Sequence, residues 1–262
     1  GRTMKKTICF FSAVIFALIF ITTAHGQMGA GSRSWKLYDD FSSGLIDPTK
    51  WSVDQSSATI TVENGMAKFV HLAGHANDPS WLKIIQNPHK ITGIKATVNF
   101  DSCTEPNKDV RARLGSWVGT DQENPDTVVF SQFAIEPYHN GGDSQRIYGA
   151  AQLLDTANSN AYLGQPFWGM FYSNDDTFLP TAVMGVPYTL IMEWTTKDVS
   201  YTLQTEVEGL GVINYTWDRS FVVEKIPDPE SAFVGIGTRS NLGLGGCTIY
   251  FDNVYIKQSR QR

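Results

Sequence analysis

The chain has 262 residues, is 42% hydrophobic and only 18% charged, and carries 23 glycines and 11 prolines, the mixture of a globular protein rich in strands and turns. Its formal net charge is −5, which argues against nucleic acid and anionic membrane surfaces as partners, because both are held mainly by Lys and Arg. Of three cysteines, Cys9 lies in the apolar run near the start, and the two that remain, Cys103 and Cys247, are too few for a Cys-rich zinc site.

In chain order, Met4-Lys5-Lys6 gives a basic start, Ile8 to Ile21 is apolar apart from Ser12, and Ala24-His25-Gly26 offers small residues where a signal peptidase cuts. Residues 1–26 therefore read as a secretory leader, with Gly1 to Thr3 upstream of the initiator. The apolar run covers roughly 21 Å at about 1.5 Å per residue, short of a hydrocarbon core of about 30 Å, so it is too short for an anchor. The expected location is secreted, extracellular or periplasmic, with no stable membrane insertion after cleavage. Losing Arg2, Lys5 and Lys6 takes the charge from −5 to −8. Residues 27–34 are Gly/Ser-rich and read as a flexible linker, and residues 35–258 as one domain.

Within that domain turn signals recur every ten or so residues, with short alternating runs between them. The predicted strands are Trp35–Phe41, Ala58–Val62, Met66–Leu72, Trp81–Gln86, Ile91–Phe100, Arg111–Gly119, Thr127–Glu136, Arg146–Leu154, Tyr188–Thr195, Val199–Val207, Ala232–Thr238 and Thr248–Lys257. Asn64-Gly65 marks a hairpin turn that needs positive φ. No apolar period of 3.6 occurs outside the leader, and the fold class is all-β, a two-sheet antiparallel sandwich.

A period of two sorts each run into faces. Ala112, Leu114, Ser116 and Val118 look inward, which leaves Arg111, Arg113 and Trp117 on the other side. Val129, Ser131, Phe133 and Ile135 form the apolar set of the next run, opposite Gln132 and Glu136. Ile147, Gly149, Ala151 and Leu153 face in, opposite Arg146, Tyr148 and Gln152. Consecutive antiparallel strands are usually neighbours, so these eight outward residues are expected to form one patch. Rings would cover the apolar face of a sugar, while amides, carboxylates and guanidinium forks would bind hydroxyls or acidic groups. The alternative is an ordinary solvated sheet face; Trp117 favours the ligand, since a large ring is poorly placed in open water. Three arginines lean the ligand towards an acidic glycan.

"LYDDFSSGLIDPTKW", "VENGMAKF", "VPYTLIMEWTTKDVSYTL" and "CTIYFDNVYIK" together resemble the concanavalin A-like lectin/glucanase superfamily, over most of residues 37 to 257. The resemblance implies a jelly roll with the ligand on a concave sheet. The glucanases of this superfamily carry Glu-x-Asp-x-Glu, first Glu nucleophile and last Glu acid/base, where this chain has Gln132, Ala134 and Glu136. Retaining chemistry needs two carboxyl groups about 5 to 5.5 Å apart, and an amide does not replace that nucleophile. Alginate lyases of the same fold pair Arg, Gln-x-His and Tyr strands; Arg111, Arg113, Gln132 and Tyr148 resemble parts of this, but Ala134 stands where the His would be. If the protein is an enzyme, a lyase or glycoside hydrolase, Glu136 and Tyr148 are its proton carriers. Otherwise it is a carbohydrate-binding protein or, in a further reading, an extracellular adhesion module that binds protein.

The same resemblance implies a structural Ca²⁺ held by the Asp252 side chain and by backbone carbonyls at Asp40 and Gly65, oxygen donors of the kind the ion prefers. Cys103 and Cys247, both at predicted strand ends, either pair in an oxidising compartment or remain buried thiols. Phe167, Trp168, Phe171 and Tyr172 follow a Gly-Gln-Pro turn and read as a loop over the ligand face, Trp168 included, or as a plug at one end of the core. Asn214-Tyr215-Thr216 is a formal glycosylation sequon, and His139 reads as a solvated turn residue.

Overall fold

The computed structural model describes residues 34–103, 110–117, 120–121, 127–139, 144–155, 161–162, 167–173, 183–195, 198–206, 212–218, 223–224, 232–240, 242–243 and 246–259. Within 120–129, 138–146, 152–173 and 213–224 it describes the backbone alone. The expected leader and nearly all of the expected linker lie outside the described residues. Among those described, no helix is long and apolar enough to cross a membrane.

The strands in chain order begin with β1 (Trp35–Asp39), β2 (Trp51–Asp54), β3 (Ala58–Glu63), β4 (Met66–His71) and β5 (Pro79–Ile84). A 3-10 turn at Pro88–Lys90 leads to β6 (Ile91–Cys103), β7 (Val110–Trp117), β8 (Thr120–Asp121), β9 (Thr127–His139) and β10 (Ser144–Asp155). Then come β11 (Ala161–Tyr162), β12 (Phe167–Ser173), β13 (Tyr188–Trp194), β14 (Asp198–Thr205) and β15 (Val212–Asp218). The last are β16 (Val223–Glu224), β17 (Phe233–Ser240) and β18 (Cys247–Gln258).

They form two eight-stranded antiparallel sheets and a small β16–β8 ribbon. The first sheet runs β15-β14-β13-β6-β18-β4-β3, with β1 also pairing β18; the second runs β11-β10-β9-β7-β17-β5-β2, with β12 also pairing β10. Chain neighbours β6 and β7 belong to different sheets, and β17 returns from far along the chain to lie between β7 and β5. This is the two-layer antiparallel sandwich that the alternating pattern predicts, in the jelly-roll form that the resemblance implies.

The core lies between the sheets. Ile60, Phe69, Ile94, Val98, Leu190, Met192, Ile249 and Phe251 of the first sheet meet Leu82, Ala112, Leu114, Phe133, Ile135, Ile147, Val234 and Ile236 of the second, all buried. The inward residues of β7, β9 and β10 are those expected from the period of two, as far as side chains are described. Tyr201 of β14 reaches across the core to pack on Phe133 at 5.5 Å, and its hydroxyl lies 2.9 Å from Ser131 Oγ. Gly149 makes room for that ring, since a Cβ there would overlap it.

The turn at Asn64-Gly65 has φ of 53° and 74°, the left-handed pair that joins β3 to β4. Cys103 and Cys247 lie directly opposite on β6 and β18 and are joined by a disulfide. Residues Phe167–Ser173 differ from their expected form. Their backbone is an edge strand paired to β10 rather than a loop or plug, because a short run of alternating size around Gly169 can extend along the free edge of that sheet.

Candidate functional site on the second sheet

The outer face of the second sheet, the one the resemblance assigns to the ligand, is built in rows across the strands. Pairing of β7 with β9 sets Arg113 opposite Ala134, Gly115 opposite Gln132 and Trp117 opposite Phe130. Pairing of β9 with β10 sets Ala134 opposite Tyr148, Gln132 opposite Ala150 and Glu136 opposite Arg146. The outward residues of three successive runs therefore share one surface, and their side chains touch. Arg111 Nη1 donates to the Tyr148 hydroxyl at 2.8 Å, and Arg111 Nη2 donates to Glu136 Oε1 at 3.4 Å, an ion pair. Arg113 Nη1 donates to Gln132 Oε1 at 3.3 Å.

These five side chains are buried; even Arg111 is only 5% exposed. A buried charge keeps its ionised form only with partners, and the contacts among Arg111, Glu136 and Tyr148 supply them. Ala134 is what lets the cluster close, because the short side chain between Arg113 and Tyr148 leaves room for the guanidinium and the phenol. The strand "FSQFAIEP" thus presents one carboxylate, engaged by an arginine, and one amide, engaged by another. It does not present the carboxylate pair of a retaining glucanase.

Sequence reasoning missed the residues that β17 and β5 add to this face. Arg239 lies opposite Arg111, Gly237 opposite Arg113, Gly235 opposite Gly115 and Phe233 opposite Trp117. Beyond them lie Trp81 and Lys83 of β5. The Trp81 indole lies over Gly115 and Gly237, where any Cβ would strike it, and the Arg113 guanidinium is 4.2 Å from its ring centroid. Trp81, Phe233, Trp117 and Phe130 run across four strands as a band, with successive centroids 5.0, 5.6 and 6.0 Å apart. Trp81 and Phe130 are buried, while Phe233 and Trp117 are half-buried. The Trp117 Nε1 has no hydrogen-bond partner among the described residues. Lys83 stands 5.3 Å from the Phe233 centroid and 3.5 Å from Asp54 Oδ2, both ends about one third exposed. The described side chains of this face thus carry Arg111, Arg113, Arg239 and Lys83 against Glu136 and Asp54. Arg146 and Gln152 sit on β10 at positions of the same face, and Trp168 lies on β12 opposite Ala150, but their side chains are outside the described residues. The His139 side chain is likewise outside them.

The three positions implied for a cation come to one end of the first sheet. β18 pairs with β1 through Val254 and Asp39 and with β4 through Phe251 and Ala67, so Asp252 lies beside the end of β1 and the Asn64-Gly65 turn. Burial raises the pKa of the Asp252 carboxyl and the nearby Asp40 charge adds to this, against a hydrogen bond from Asn253 N. Among the described residues no group of three or more His, Cys, Asp or Glu side chains could hold a metal. A partly buried carboxylate beside a second one, next to the backbone of a tight turn, has oxygen donors of the kind a hard cation takes.

No protein-family model matches the chain, and no curated protein matches it in sequence. Among solved structures it is similar to the κ-carrageenase from Pseudoalteromonas carrageenovora in complex with an oligotetrasaccharide of κ-carrageenan, at a TM-score of 0.50 and 10% identity, covering 90% of this chain and 100% of that one. It is also similar to a 1,3-α-1,4-β-D-galactose-4-sulfate-3,6-anhydro-D-galactose 4 galactohydrolase, at a TM-score of 0.51 and 10% identity, covering 88% and 98%. The chain has the concanavalin A-like jelly-roll fold, without the glucanase carboxylate motif. At 10% identity the likeness is one of fold.

Proposed function

We propose that the protein is an exported carbohydrate-binding protein that takes an anionic polysaccharide on the outer face of its second sheet. The observation that carries this reading is the contact of Arg111, Arg113, Gln132, Glu136 and Tyr148 on one face, beside a band of rings. Among the described side chains of this face, cations outnumber carboxylates although the chain as a whole is acidic, which suits carboxylates or sulfates on the ligand. Half-buried Trp117 and Phe233 supply ring surface for pyranose faces. The fold neighbour solved with a carrageenan oligosaccharide agrees with the ligand class. Export is supported by the leader-like N-terminus and by the Cys103–Cys247 disulfide, which suits an oxidising compartment. Calcium at Asp252, Asp40 and Gly65 belongs to the same proposal as a structural ion.

The test is affinity electrophoresis on anionic and neutral glycans. Trp117→Ala is expected to lose retention while remaining folded, with a lowered thermal midpoint because the ring packs between Phe233 and Phe130, and unchanged retention would reject the role of that ring. Reducing-end release or the absorbance of unsaturated uronates from incubated polymer would turn the reading to hydrolase or lyase, with Glu136 or Tyr148 as proton carrier. Chelation is expected to lower the melting temperature, and Ca²⁺ at a hundredfold excess over Kd to restore about 3 kcal/mol of stability, with no response in Asp252→Asn.

One observation favours a second reading. The polar cluster is buried, as in a protein-binding module whose polar face is a structural network. Such a module would show no preference among glycans.

A further inference from the structure

The first sheet carries a separate patch on its outer face. Its first row is Trp35, Lys257, Gly93 and Glu193, in register across β1, β18, β6 and β13. The second row is Leu37, Tyr255, Lys95 and Ile191 on the same strands. Trp35 belongs to the edge strand, yet its indole crosses β18, so that Cη2 comes within 2.9 Å of where a Cβ on Gly93 would stand. Any other residue at 93 would displace the ring, and the bare glycine therefore lets an indole lie across the sheet.

Lys257 pairs with Glu193. Lys95 does not pair with a carboxylate among the described residues; its ammonium lies 3.9 Å from the Tyr255 centroid and 5.7 Å from that of Trp35. Its part-burial against those rings pulls its pKa below the usual lysine value. Leu37, 50% exposed, extends the apolar floor. Two half-buried rings, an aliphatic edge and a cation held between the rings match a ligand with a flat apolar face and an anionic substituent. The patch spans about 7 Å along the strands and about 14 Å across them, far less than the roughly 800 Å² per partner of a stable protein interface. That size suits one or two sugar rings.

We propose that Trp35, Tyr255 and Lys95 form a second saccharide subsite, for a sugar that bears a carboxylate or a sulfate. It shares a ligand class with the first site and none of its residues.

The test uses the full chain in gels containing polygalacturonate, κ-carrageenan or neutral laminarin. Lys95→Gln is expected to weaken retention by an anionic polymer about five- to tenfold and to leave laminarin behaviour unchanged, while Lys95→Arg retains binding. Response to polygalacturonate alone identifies the carboxylate, response to carrageenan alone the sulfate. Trp35→Ala is expected to repeat the loss; if it unfolds, the two Lys95 variants decide. The proposal is overturned if Lys95→Gln matches the parent on both anionic polymers, if neither polymer retains the parent, or if laminarin binding falls equally. A concentration-dependent dimer that Lys95→Gln dissolves also overturns it, in favour of self-association. Loss in Lys95→Gln with none in Trp117→Ala would leave this subsite standing and reject the first site; the reverse pattern would do the opposite.

Discussion

His71 projects from β4 into the interior, where its Nδ1 lies 3.4 Å from both Ser57 Oγ and Thr238 Oγ1. Burial pushes its pKa down to about 4, and the charges of His75 and Arg113 push the same way. The folded protein therefore holds a neutral imidazole down to about pH 4, whereas the unfolded chain protonates near the ordinary value of 6.5. Between those limits the unfolded state binds a proton that the folded state refuses, so stability is full above pH 6.5 and falls as the pH drops towards 4. The loss is on the order of 3 kcal/mol by linkage, flat outside that window. Urea midpoints of the parent and of His71→Gln between pH 7.5 and 4 check this. The parent is expected to lose more than the variant, and parallel pH profiles would show that His71 does not titrate on unfolding.

Strands place the site by their pleat, and the pleat was the legible part. The faces of Arg111–Trp117 and Gln132–Glu136 followed from alternation alone, because a period of two leaves one choice once the apolar set is known. Trp81, Phe233 and Arg239 were not legible as site residues. Their strands, β5 and β17, reach this face through crossovers that sequence distance does not encode. The edge strand β12 was missed for a related reason, since an aromatic run after a Gly-Pro turn reads equally as loop or strand until β10 offers it an edge. The arrival of β5 makes a further prediction at this scale. A Cβ on Gly115 would strike only the Trp81 ring, whereas one on Gly237 would strike both that ring and the backbone oxygen of Ser80. Each Gly→Ala change is expected to destabilise by about 1 to 3 kcal/mol. Adding Trp81→Ala should relieve the Gly115→Ala clash, giving a coupling of about 0.5 to 3 kcal/mol in a double-mutant cycle, and should relieve Gly237→Ala only in part. Equal couplings would mean that Trp81 does not lie across both glycines.

For the molecule as a whole, the central pairing of β6 with β18 holds the first sheet together, and the disulfide sits within it. Cys103 and Cys247 are separated by 144 residues, and the closed loop contains β7, β9, β10 and β17, the strands that carry most of the candidate site. Breaking the bond leaves the folded register unchanged, because the ladder from Thr248–Ser102 to Gln258–Ile91 still pairs the two strands through backbone bonds. Its main effect therefore falls on the unfolded chain, which gains the freedom of a very long loop. The double variant Cys103→Ser/Cys247→Ser is expected to be less stable by about 2 to 5 kcal/mol. Its denaturant slope should also rise, because an unfolded chain without the crosslink exposes more surface. Equilibrium urea curves of the oxidised protein and the variant measure both quantities. A lower midpoint with an unchanged slope would move the effect to the folded sheet, and unchanged curves would mean that the two thiols do not pair in solution.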